Sequence, residues 1–190
     1  MSVVELENDA VVDYVQTASV RRITAPELAD VINDLVFDLT ETVNDGSPLG
    51  FMPPITLETA RAYWISLLPE LRSGRRILLV ADYADSVVGS AQLALSRRGN
   101  SPHRAEVEKV FVSRVARGRG VGTALMNAVH DAALQHGRTL LTLNTRYDEP
   151  PHHWYKTLGY KEVGVIPGWT IGPHGERYDH ITLYKELSAK

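Results

Sequence analysis

Three apolar, strand-like segments follow one another between residues 76 and 112, with only short polar connections between them. The segments span residues 76–83, 86–96 and 104–112, and the connections contain Asp, Ser, Gly and Pro. Connections this short predict antiparallel neighbours, because parallel strands need a crossover of about a dozen residues or more. The sheet therefore begins as an antiparallel meander, which argues against a parallel, doubly wound sheet.

The clearest helix of the sequence comes directly after this meander. Its apolar residues keep the i, i+3, i+4, i+7 spacing of one helical face: Val121, Ala124, Leu125, Ala128, Val129, Ala132 and Ala133. Gly137 supplies the expected C-terminal stop. A buried strand near residues 139–145, a short helix near 151–158 and strands near 160–166 and 180–187 complete the order. This order predicts a strand–helix–strand crossover and a closing hairpin.

The segment before the meander predicts a strand and two helices. We expect the strand within residues 11–23. A first helix should open with Thr24 as its N-cap and Pro26 in its first turn, and should end where a Pro- and Gly-rich loop, residues 46–54, begins. A second helix should then run from about residue 57 to 72.

The length of the chain, 190 residues, is that of one ordinary domain. We expect a flexible tail over residues 1–10 and one domain over residues 11–190. The predicted fold is a single-domain, mixed α/β fold with a mostly antiparallel central sheet, a strand–helix–strand crossover and flanking helices. Without cysteine, the chain has no disulfide, thiolate zinc site or cysteine nucleophile. It has no signal-like start and no apolar run long enough to cross a bilayer, so we expect a cytoplasmic protein without a membrane partner.

Basic residues are concentrated in one segment of an otherwise acidic chain. Residues 97–119 contain seven Arg and Lys against two Glu, a local charge of +5, whereas the formal charge of the whole chain is -3. A general nucleic-acid binder is usually basic over a whole face. One basic segment instead favours a small polyanionic ligand and no nucleic-acid partner.

The most informative residues lie at the end of that segment, where the run Arg117–Gly122, with the sequence RGRGVG, leads into the clearest helix. Glycines at alternate positions leave backbone amides uncovered at a helix N-terminus, where free N–H groups and the helix dipole favour an anion. A P-loop would need Lys and Ser or Thr after the last glycine, and a dinucleotide-binding turn would need G-x-G-x-x-G. Neither fits, so the motif predicts a different phosphate-bearing cofactor, and a flexible turn that only eases close packing is the alternative.

This motif resembles the acetyl-coenzyme A (acetyl-CoA) signature of the GCN5-related N-acetyltransferases (GNAT), R/Q-x-x-G-x-G/A, with Arg117, Gly120 and Gly122 at the defined positions. The segment Trp154–Tyr160 resembles the late Y-x-x-x-G-F/Y element of the same family. The resemblance covers about residues 20–187. It implies that acetyl-CoA is the co-substrate and that the acetyl group passes directly to an amine.

The resemblance also assigns the cofactor contacts. They are Val110, Phe111, Val112, Arg117, Gly118, Arg119, Gly120, Val121, Gly122 and Thr123. The backbone at Val110 to Val112 is expected to pair with the pantetheine arm as an added strand and to polarise the acetyl carbonyl.

Two side chains are expected to move protons. Glu106 resembles the family's general base, acting directly or through water, and Glu108, which should share its strand face, is the second choice. Either glutamate could instead balance Arg104 or Lys109 on a solvated strand. Tyr155 resembles the general acid, since a phenol with a pKa near 10 is protonated at pH 7 and can protonate a leaving thiolate. A tyrosine that is merely packed in a short helix is the alternative.

The acceptor implied by the resemblance is a small amine, such as an amino-acid-like toxin or antibiotic. The residues expected to line its pocket are Phe51, Met52, Asn144 and Trp169, with the polar stretch from Trp169 to His180. The adjacent pair His152-His153 lacks metal-ligand spacing, so we expect no metal and a surface or substrate-lining position for the pair.

Two other functions remain open at this stage. A protein or peptide acetyltransferase would share the cofactor site but need an open acceptor groove. A non-catalytic acyl-CoA sensor would bind the cofactor without transferring its acyl group. The sequence is compatible with a monomer or a dimer.

Overall fold

The computed structural model describes residues 18–47 and 49–188. The expected tail over residues 1–10 lies outside this range. The strands are β1 Ser19–Ile23, β2 Arg76–Tyr83, β3 Ser86–Leu95, β4 Arg104–Val112, β5 Leu140–Arg146, β6 Lys161–Ile171 and β7 Arg177–Glu186. The helices are α1 Leu28–Asn44, α2 Leu57–Ser66, α3 Leu68–Arg72, α4 Val121–Gln135 and α5 Pro150–Thr157, and a single 3-10 turn covers Arg114–Ala116.

The strands form one seven-stranded sheet in the order β1-β2-β3-β4-β5-β7-β6. Every neighbouring pair is antiparallel except β4 and β5, which are parallel and connected through α4. The predicted meander, the strand–helix–strand crossover and the closing hairpin are confirmed. The single-domain mixed α/β fold follows from this arrangement of one sheet with helices on both faces.

The sheet separates two hydrophobic cores. On one face, α4 packs against side chains such as Leu79, Val107 and Leu141. On the other face, α1 and α2 pack against Leu78, Val80 and Phe111. Because successive strand residues point to opposite faces, neighbouring residues of one strand enter different cores. Both faces are therefore covered, which explains why the middle of β2 is an uninterrupted apolar run.

Thr24 donates two hydrogen bonds to Glu27 just before the start of α1. The Thr24 backbone N–H and hydroxyl both donate to Glu27 Oε2, at 2.8 and 2.6 Å. The Leu28 N–H donates to the Thr24 carbonyl, so the chain turns from Thr24 onward although the regular helix begins at Leu28. The predicted N-cap is therefore wrong: Glu27 is the N-cap residue of α1, and Pro26 precedes the regular helix. The Thr24 hydroxyl bonds to the Glu27 carboxylate instead of capping a backbone N–H of the helix.

The predicted helix from residue 57 to 72 is wrong as a single element. It is interrupted at Leu67, which ends α2 and precedes α3. Pro69 lies in the first turn of α3, and a proline there has no N–H to donate to the preceding turn. The segment therefore forms two short helices, and α3 ends near Gly74 as expected.

The last two strands are longer than predicted. β6 extends to Ile171 and β7 begins at Arg177, so most of the stretch from Trp169 to His180 is strand rather than loop. The pairs Thr170–Tyr178 and Ile171–Arg177 extend the hairpin across this stretch. Apolar alternation does not predict this pairing, because the residues are polar and exposed. An edge strand can be hydrogen-bonded without an apolar face.

Candidate functional site

The parallel strands β4 and β5 are paired only at their beginnings. Their register runs from Arg104–Leu140 to Glu106–Thr142 and then stops. β4 continues to Val112 and stays paired with β3, so its other edge, over residues 107–112, has no strand partner in the described part of the chain. An unpaired strand edge offers backbone donors and acceptors to an extended ligand.

A bulge in β4 lies at this divergence. Gln92 pairs with Glu108 and Ser90 pairs with Phe111, so that two residues of β4, Lys109 and Val110, oppose Ala91 alone. Lys109 adopts φ +50, the left-handed region that non-glycine residues rarely occupy. The bulge reverses the alternation of the strand: Val110 and Val112 contact the core under α4, and Phe111 contacts the core under α1.

The glycine motif forms the connection from β4 into α4. Gly118 and Gly120 adopt φ +74 and +79, and no atom lies within 4 Å of a Cβ placed on either of them. Their glycine identity is therefore explained by the backbone conformation and not by close packing. The backbone N–H groups from Gly118 to Thr123 donate no hydrogen bond within residues 18–47 and 49–188, and the first bond of α4 joins Ala124 N–H to Gly120. This array of free amides at a helix N-terminus fits a phosphate group.

The side chains of Arg117 and Arg119, two of the predicted cofactor contacts, are held by the protein itself. The Arg117 Nε donates to the Val112 carbonyl at 3.0 Å, and its Nη1 lies 3.8 Å from an Asp45 carboxylate oxygen. The Arg119 guanidinium lies 5.5 Å from the centre of the Tyr83 ring. Gly122 differs from the other two glycines, because a Cβ there would lie 3.2 Å from the Trp154 indole. Close packing therefore explains Gly122, while Gly118 and Gly120 meet a conformational requirement.

Glu106 and Glu108 precede the bulge and share one face of β4, but their surroundings differ. Glu108 accepts a hydrogen bond of 2.7 Å from Arg76, a half-buried residue that also bonds to Glu70 and Gln92. Neither Arg104 nor Lys109 forms an ion pair with a glutamate among the described residues, so the balancing partners considered from the sequence were wrong. Glu106 forms no ion pair in this part of the chain, and its carboxylate remains able to accept a proton from a ligand.

The side chain of Asn144 on β5 contacts that of Glu106. Its Nδ2 lies 3.3 Å from Glu106 Oε1, and its Oδ1 accepts a hydrogen bond of 2.7 Å from the Thr182 hydroxyl. The hydroxyl bond fixes the orientation of the amide, so that its NH2 group faces the carboxylate. Asn144 was predicted to contact the acceptor, and the structure places it where it orients Glu106.

Tyr155 lies on α5, on the opposite face of the sheet from Glu106. It is 7% exposed and packs among the residues of the α4 core, with its ring 4.9 Å from Trp154 and 5.7 Å from Tyr160. Its hydroxyl has no hydrogen bond to another described residue. Burial raises the pKa of Tyr155 above the ordinary value assumed from the sequence, which keeps the phenol protonated at neutral pH. Glu106 lies on one face of the sheet and Tyr155 on the other, and the unpaired edge of β4 separates them.

The aromatic residue Phe51, in the loop after α1, lies over the bulge. Its ring contacts Tyr63 edge-on at 5.3 Å, and the Lys109 ammonium lies 5.8 and 5.5 Å from the centres of the Phe51 and Tyr63 rings. Burial lowers the pKa of Lys109. Met52, the next residue, is 55% exposed. Of the predicted pair, only Phe51 is packed against other side chains.

Trp169 lies in the β6–β7 hairpin rather than in a loop. It is 57% exposed, and its ring lies 6.4 Å from that of His180. His180 and Thr182 point to the same face of β7, since they are two residues apart. Glu106, Asn144 and Thr182 therefore form a row of polar side chains on one face of the sheet. This row leads towards Trp169.

The pair His152-His153 divides between two environments. His152 is 2% exposed, its Nδ1 accepts a hydrogen bond from the Asp148 amide, and its Nε2 donates to Glu162 at 2.9 Å. The predicted surface or substrate-lining position is therefore wrong for His152, whose two ring nitrogens join the start of α5 to β6. His153 is exposed and contacts Asp148.

Residues 18–47 and 49–188 contain no group of three or more His, Cys, Asp or Glu side chains that could hold a metal ion. The helices in these ranges are too short or too polar to cross a membrane.

The model of the acetyltransferase (GNAT) family matches residues 43–160, more than half of the chain. The chain belongs to the GNAT acetyltransferase family. It is 31% identical over 132 residues to an uncharacterized N-acetyltransferase of Azospirillum brasilense, covering 67% of this chain and 75% of that protein. It is 38% identical over 66 residues, 34% of this chain, to an uncharacterized N-acetyltransferase of Methanocaldococcus jannaschii, and spans only 29% of that protein.

The fold of this GNAT acetyltransferase is also similar to solved structures. The protein yncA of Salmonella typhimurium, solved with its cofactor acetyl-CoA, matches with a TM-score of 0.69. The match covers 91% of this chain and 95% of yncA at 15% identity, which shows a shared fold.

Two features of this GNAT site were not found by sequence reasoning. The bulge at Lys109 has a signal, because the consecutive polar residues Glu108 and Lys109 interrupt the alternation of β4. The Arg76 contact to Glu108 has none, since the two residues are distant in sequence and meet only through β3.

Proposed function

We propose that this GNAT acetyltransferase transfers the acetyl group of acetyl-CoA directly to a small amine. The observation that carries the proposal is the meeting of the unpaired edge of β4 with the free amides at the start of α4. When bound, acetyl-CoA supplies an activated acyl group on a thioester. In the reaction a C–N bond forms, the C–S bond breaks, and the acceptor loses one proton while the thiolate takes up one.

The cofactor contacts are proposed from this geometry. The amides from Gly118 to Thr123 bind the diphosphate, and the β4 edge at Val110 to Val112 binds the pantetheine arm. The acetyl oxygen accepts hydrogen bonds, so backbone N–H groups of this edge are the groups that can polarise it.

Glu106 is the proposed general base because it has no cationic partner among the described residues. It lies beside Asn144 on one face of the sheet, which we take as the acceptor face. Glu108 is unsuited to this role, since its carboxylate is already bound by Arg76 at 2.7 Å. The Asn144 amide holds Glu106 towards the acceptor.

Substitution by glutamine should separate the two carboxylates. In Glu106→Gln, kcat should fall about 10²- to 10⁴-fold, because the amide cannot accept the ammonium proton. The pH optimum should move upward, where more of the acceptor is already neutral. In Glu108→Gln, the weakened contact to Arg76 should cost about 1–3 kcal/mol of unfolding free energy with the pH profile unchanged. Profiles of kcat against pH and thermal unfolding of both variants measure this, and a shifted profile in Glu108→Gln alone would transfer the role.

We propose an acceptor that carries a carboxylate as well as an amine. Lys109 supports this because its ammonium lies on the same side of the sheet as Glu106, between two aromatic rings, and forms no ion pair with a described residue. A base for the amine and a free cation for an anionic group suit an amino-acid-like molecule.

Short segments of the sequence support the same acceptor class. They resemble the tabtoxin resistance acetyltransferase at Gly50–Met52, Ala91–Leu93 and Arg104–Val107, among others. Asn144 stands where we expect an acidic residue in that protein, so an amino-acid-like toxin or antibiotic related to tabtoxinine-β-lactam is proposed as a class rather than as one compound.

A pair of acceptors that differ in one group tests this assignment. Lys109→Met should raise KM about 10- to 100-fold for an amino acid, as expected for loss of a hydrogen bond from a charged group. The same variant should leave KM for the corresponding carboxamide unchanged, since methionine keeps the apolar stem between the rings. Steady-state kinetics with both acceptors measures the difference. An equal loss for the two acceptors would assign Lys109 to packing alone.

A thiol-release assay over a broad set of amines tests the reaction itself. The set should contain tabtoxinine-β-lactam, amino acids, polyamines, aminoglycosides and short peptides. Thiol release with a small amine supports the proposal, and activity confined to peptides would favour a peptide acetyltransferase. Acetyl-CoA binding without thiol release from any amine would favour a sensor.

A further inference from the structure

The peptide group that joins Lys109 to Val110 lies inside the bulge of β4. Neither residue has a partner in the register of β4 with β3 or with β5. Lys109 adopts φ +50. A non-glycine residue keeps a left-handed backbone conformation only where the surrounding structure holds it, and such residues cluster at functional sites. The contacts that hold this peptide group therefore determine which groups the bulge presents to a ligand.

Ser90 on β3 provides one of these contacts. Its hydroxyl donates a hydrogen bond of 3.2 Å to the Lys109 carbonyl oxygen. The Ser90 side chain is fully buried, and this carbonyl is the only partner of its hydroxyl among the described residues. A buried hydroxyl needs a partner within the protein, since it cannot turn to solvent. The hydroxyl of Ser90 therefore fixes the direction of the Lys109 carbonyl.

The direction of the carbonyl also sets the direction of the Val110 N–H, because both belong to one peptide group. This group is trans. In a planar trans peptide group, the C=O and N–H bonds point in opposite directions. Since Ser90 holds the Lys109 carbonyl towards β3, the Val110 N–H points away from β3. That direction leads to the edge of β4 that has no strand partner in residues 18–47 and 49–188.

Gly89, the neighbour of Ser90, fixes the course of β4 after the bulge. A Cβ at Gly89 would lie 2.7 Å from the Phe111 carbonyl oxygen and 3.3 Å from the Val112 Cα. A side chain has no room at such distances, so glycine is required for this close approach of β3 to β4. Close backbone contact therefore holds the strand after the bulge, while a side-chain hydroxyl holds the peptide group within the bulge.

We propose that Ser90 is a positioning residue of the transfer reaction, because its hydroxyl directs the Val110 N–H towards the acetyl oxygen. This role rests on the proposed function, in which N–H groups of the β4 edge polarise the thioester carbonyl. Such a donor is most effective when the protein has oriented it before the reaction, since no energy is then spent on turning it. Ser90 is buried, so it acts through the peptide group and not on the reactants.

The carbonyl stretching frequency of bound acetyl-CoA tests this role without an acceptor. Infrared difference spectra of acetyl-CoA labelled with a heavy isotope at the acetyl carbonyl isolate this vibration. On the wild type the frequency should be lower than in solution, because a hydrogen bond weakens the C=O bond. In Ser90→Ala, at least about half of this decrease should be lost. The dissociation constant of coenzyme A, which has no acetyl oxygen, should be unchanged.

Turnover should change in the same way as the frequency. In Ser90→Ala, kcat should fall about 10- to 100-fold, because a misdirected donor loses part of the stabilisation that a well-placed donor gives. Ser90→Thr keeps a hydroxyl at the same position. It should retain most of kcat and most of the frequency decrease.

Thr40→Val is the matched control for the loss of a buried hydroxyl. Thr40 is buried, and its hydroxyl donates a hydrogen bond of 2.8 Å to the Val36 carbonyl within α1. Thr40→Val and Ser90→Ala should each lower Tm by about 2–4 °C, as expected for the loss of one hydrogen bond. Only Ser90→Ala should change kcat and the carbonyl frequency.

Three results would overturn the positioning role of Ser90. They are an unchanged frequency decrease in Ser90→Ala, an equal loss of kcat in Ser90→Ala and Thr40→Val, and the absence of any frequency decrease on a wild type that binds acetyl-CoA. A wild type that does not bind acetyl-CoA at all would overturn the proposed function, and the role of Ser90 with it.

Discussion

Replacing Tyr155 by phenylalanine is expected to lower kcat about 10²- to 10⁴-fold while leaving KM for acetyl-CoA nearly unchanged. The phenol is the proposed donor of the proton that the departing thiolate takes up. Its hydroxyl has no hydrogen bond to a described residue, so its removal should leave the packing with Trp154 and Tyr160 intact. Steady-state kinetics with the best amine from the thiol-release assay measures the effect.

Tyr160→Phe provides the matched control on the same motif. Tyr160 is 3% exposed and its hydroxyl bonds to His130 Nε2 at 3.2 Å. Loss of that bond should cost about 0.5–1.5 kcal/mol of unfolding free energy without slowing turnover. Unchanged turnover in Tyr155→Phe would show that water or another group protonates the thiolate.

The raised pKa of Tyr155 also predicts how kcat responds to pH. Burial moves the pKa of the phenol upward, so it remains protonated well above neutral pH. If Tyr155 lost its proton between pH 7 and 9, kcat of the wild type would decrease over this range and kcat of Tyr155→Phe would not. We expect no such decrease in the wild type. Such a decrease would assign the tyrosine an ordinary or lowered pKa in the complex.

Placing a negative charge at Gly120 is expected to abolish acetyl-CoA binding. At a ligand concentration of 100 times Kd, binding should stabilise the wild type by about 2.7 kcal/mol, which corresponds to a rise in Tm of roughly 5–11 °C. Gly120→Asp adds a carboxylate beside the free amides proposed to bind the diphosphate, and like charges in contact cost several kcal/mol. The rise in Tm should therefore disappear in this variant.

Gly120→Asn separates the charge from the backbone conformation. Gly120 has φ +79, and Asn and Asp tolerate this region better than other side chains. No atom lies within 4 Å of a Cβ at this position, so both side chains have room. Asn should keep most of the rise in Tm that Asp loses. The same rise in both variants would place the diphosphate away from α4.

The order of the elements could be predicted from the sequence because each depends on local patterns. Turn residues and alternation define the meander, and helical spacing followed by Gly137 defines α4. The glycine motif could also be interpreted locally, since free amides at a helix N-terminus depend on the few residues that precede it. The same holds for the shared face of Glu106 and Glu108, which lie on one uninterrupted stretch of strand.

The remaining features depend on contacts between distant residues. The bulge at Lys109 changes the faces of the residues that follow it, so alternation counted from Glu106 places Val112 on the wrong side of the sheet. The predicted strands leave a gap from residue 167 to 179, because only pairing with β7 makes the exposed segment around Trp169 a strand.

The sequence by itself determined the elements, their order and the residue types of the proposed reaction. Only the tertiary structure decided which glutamate is free, because Arg76 reaches Glu108 across β3, and only burial in the α4 core set the environment of Tyr155. Charge pairing and desolvation depend on distances in space, and residues far apart in the chain set those distances.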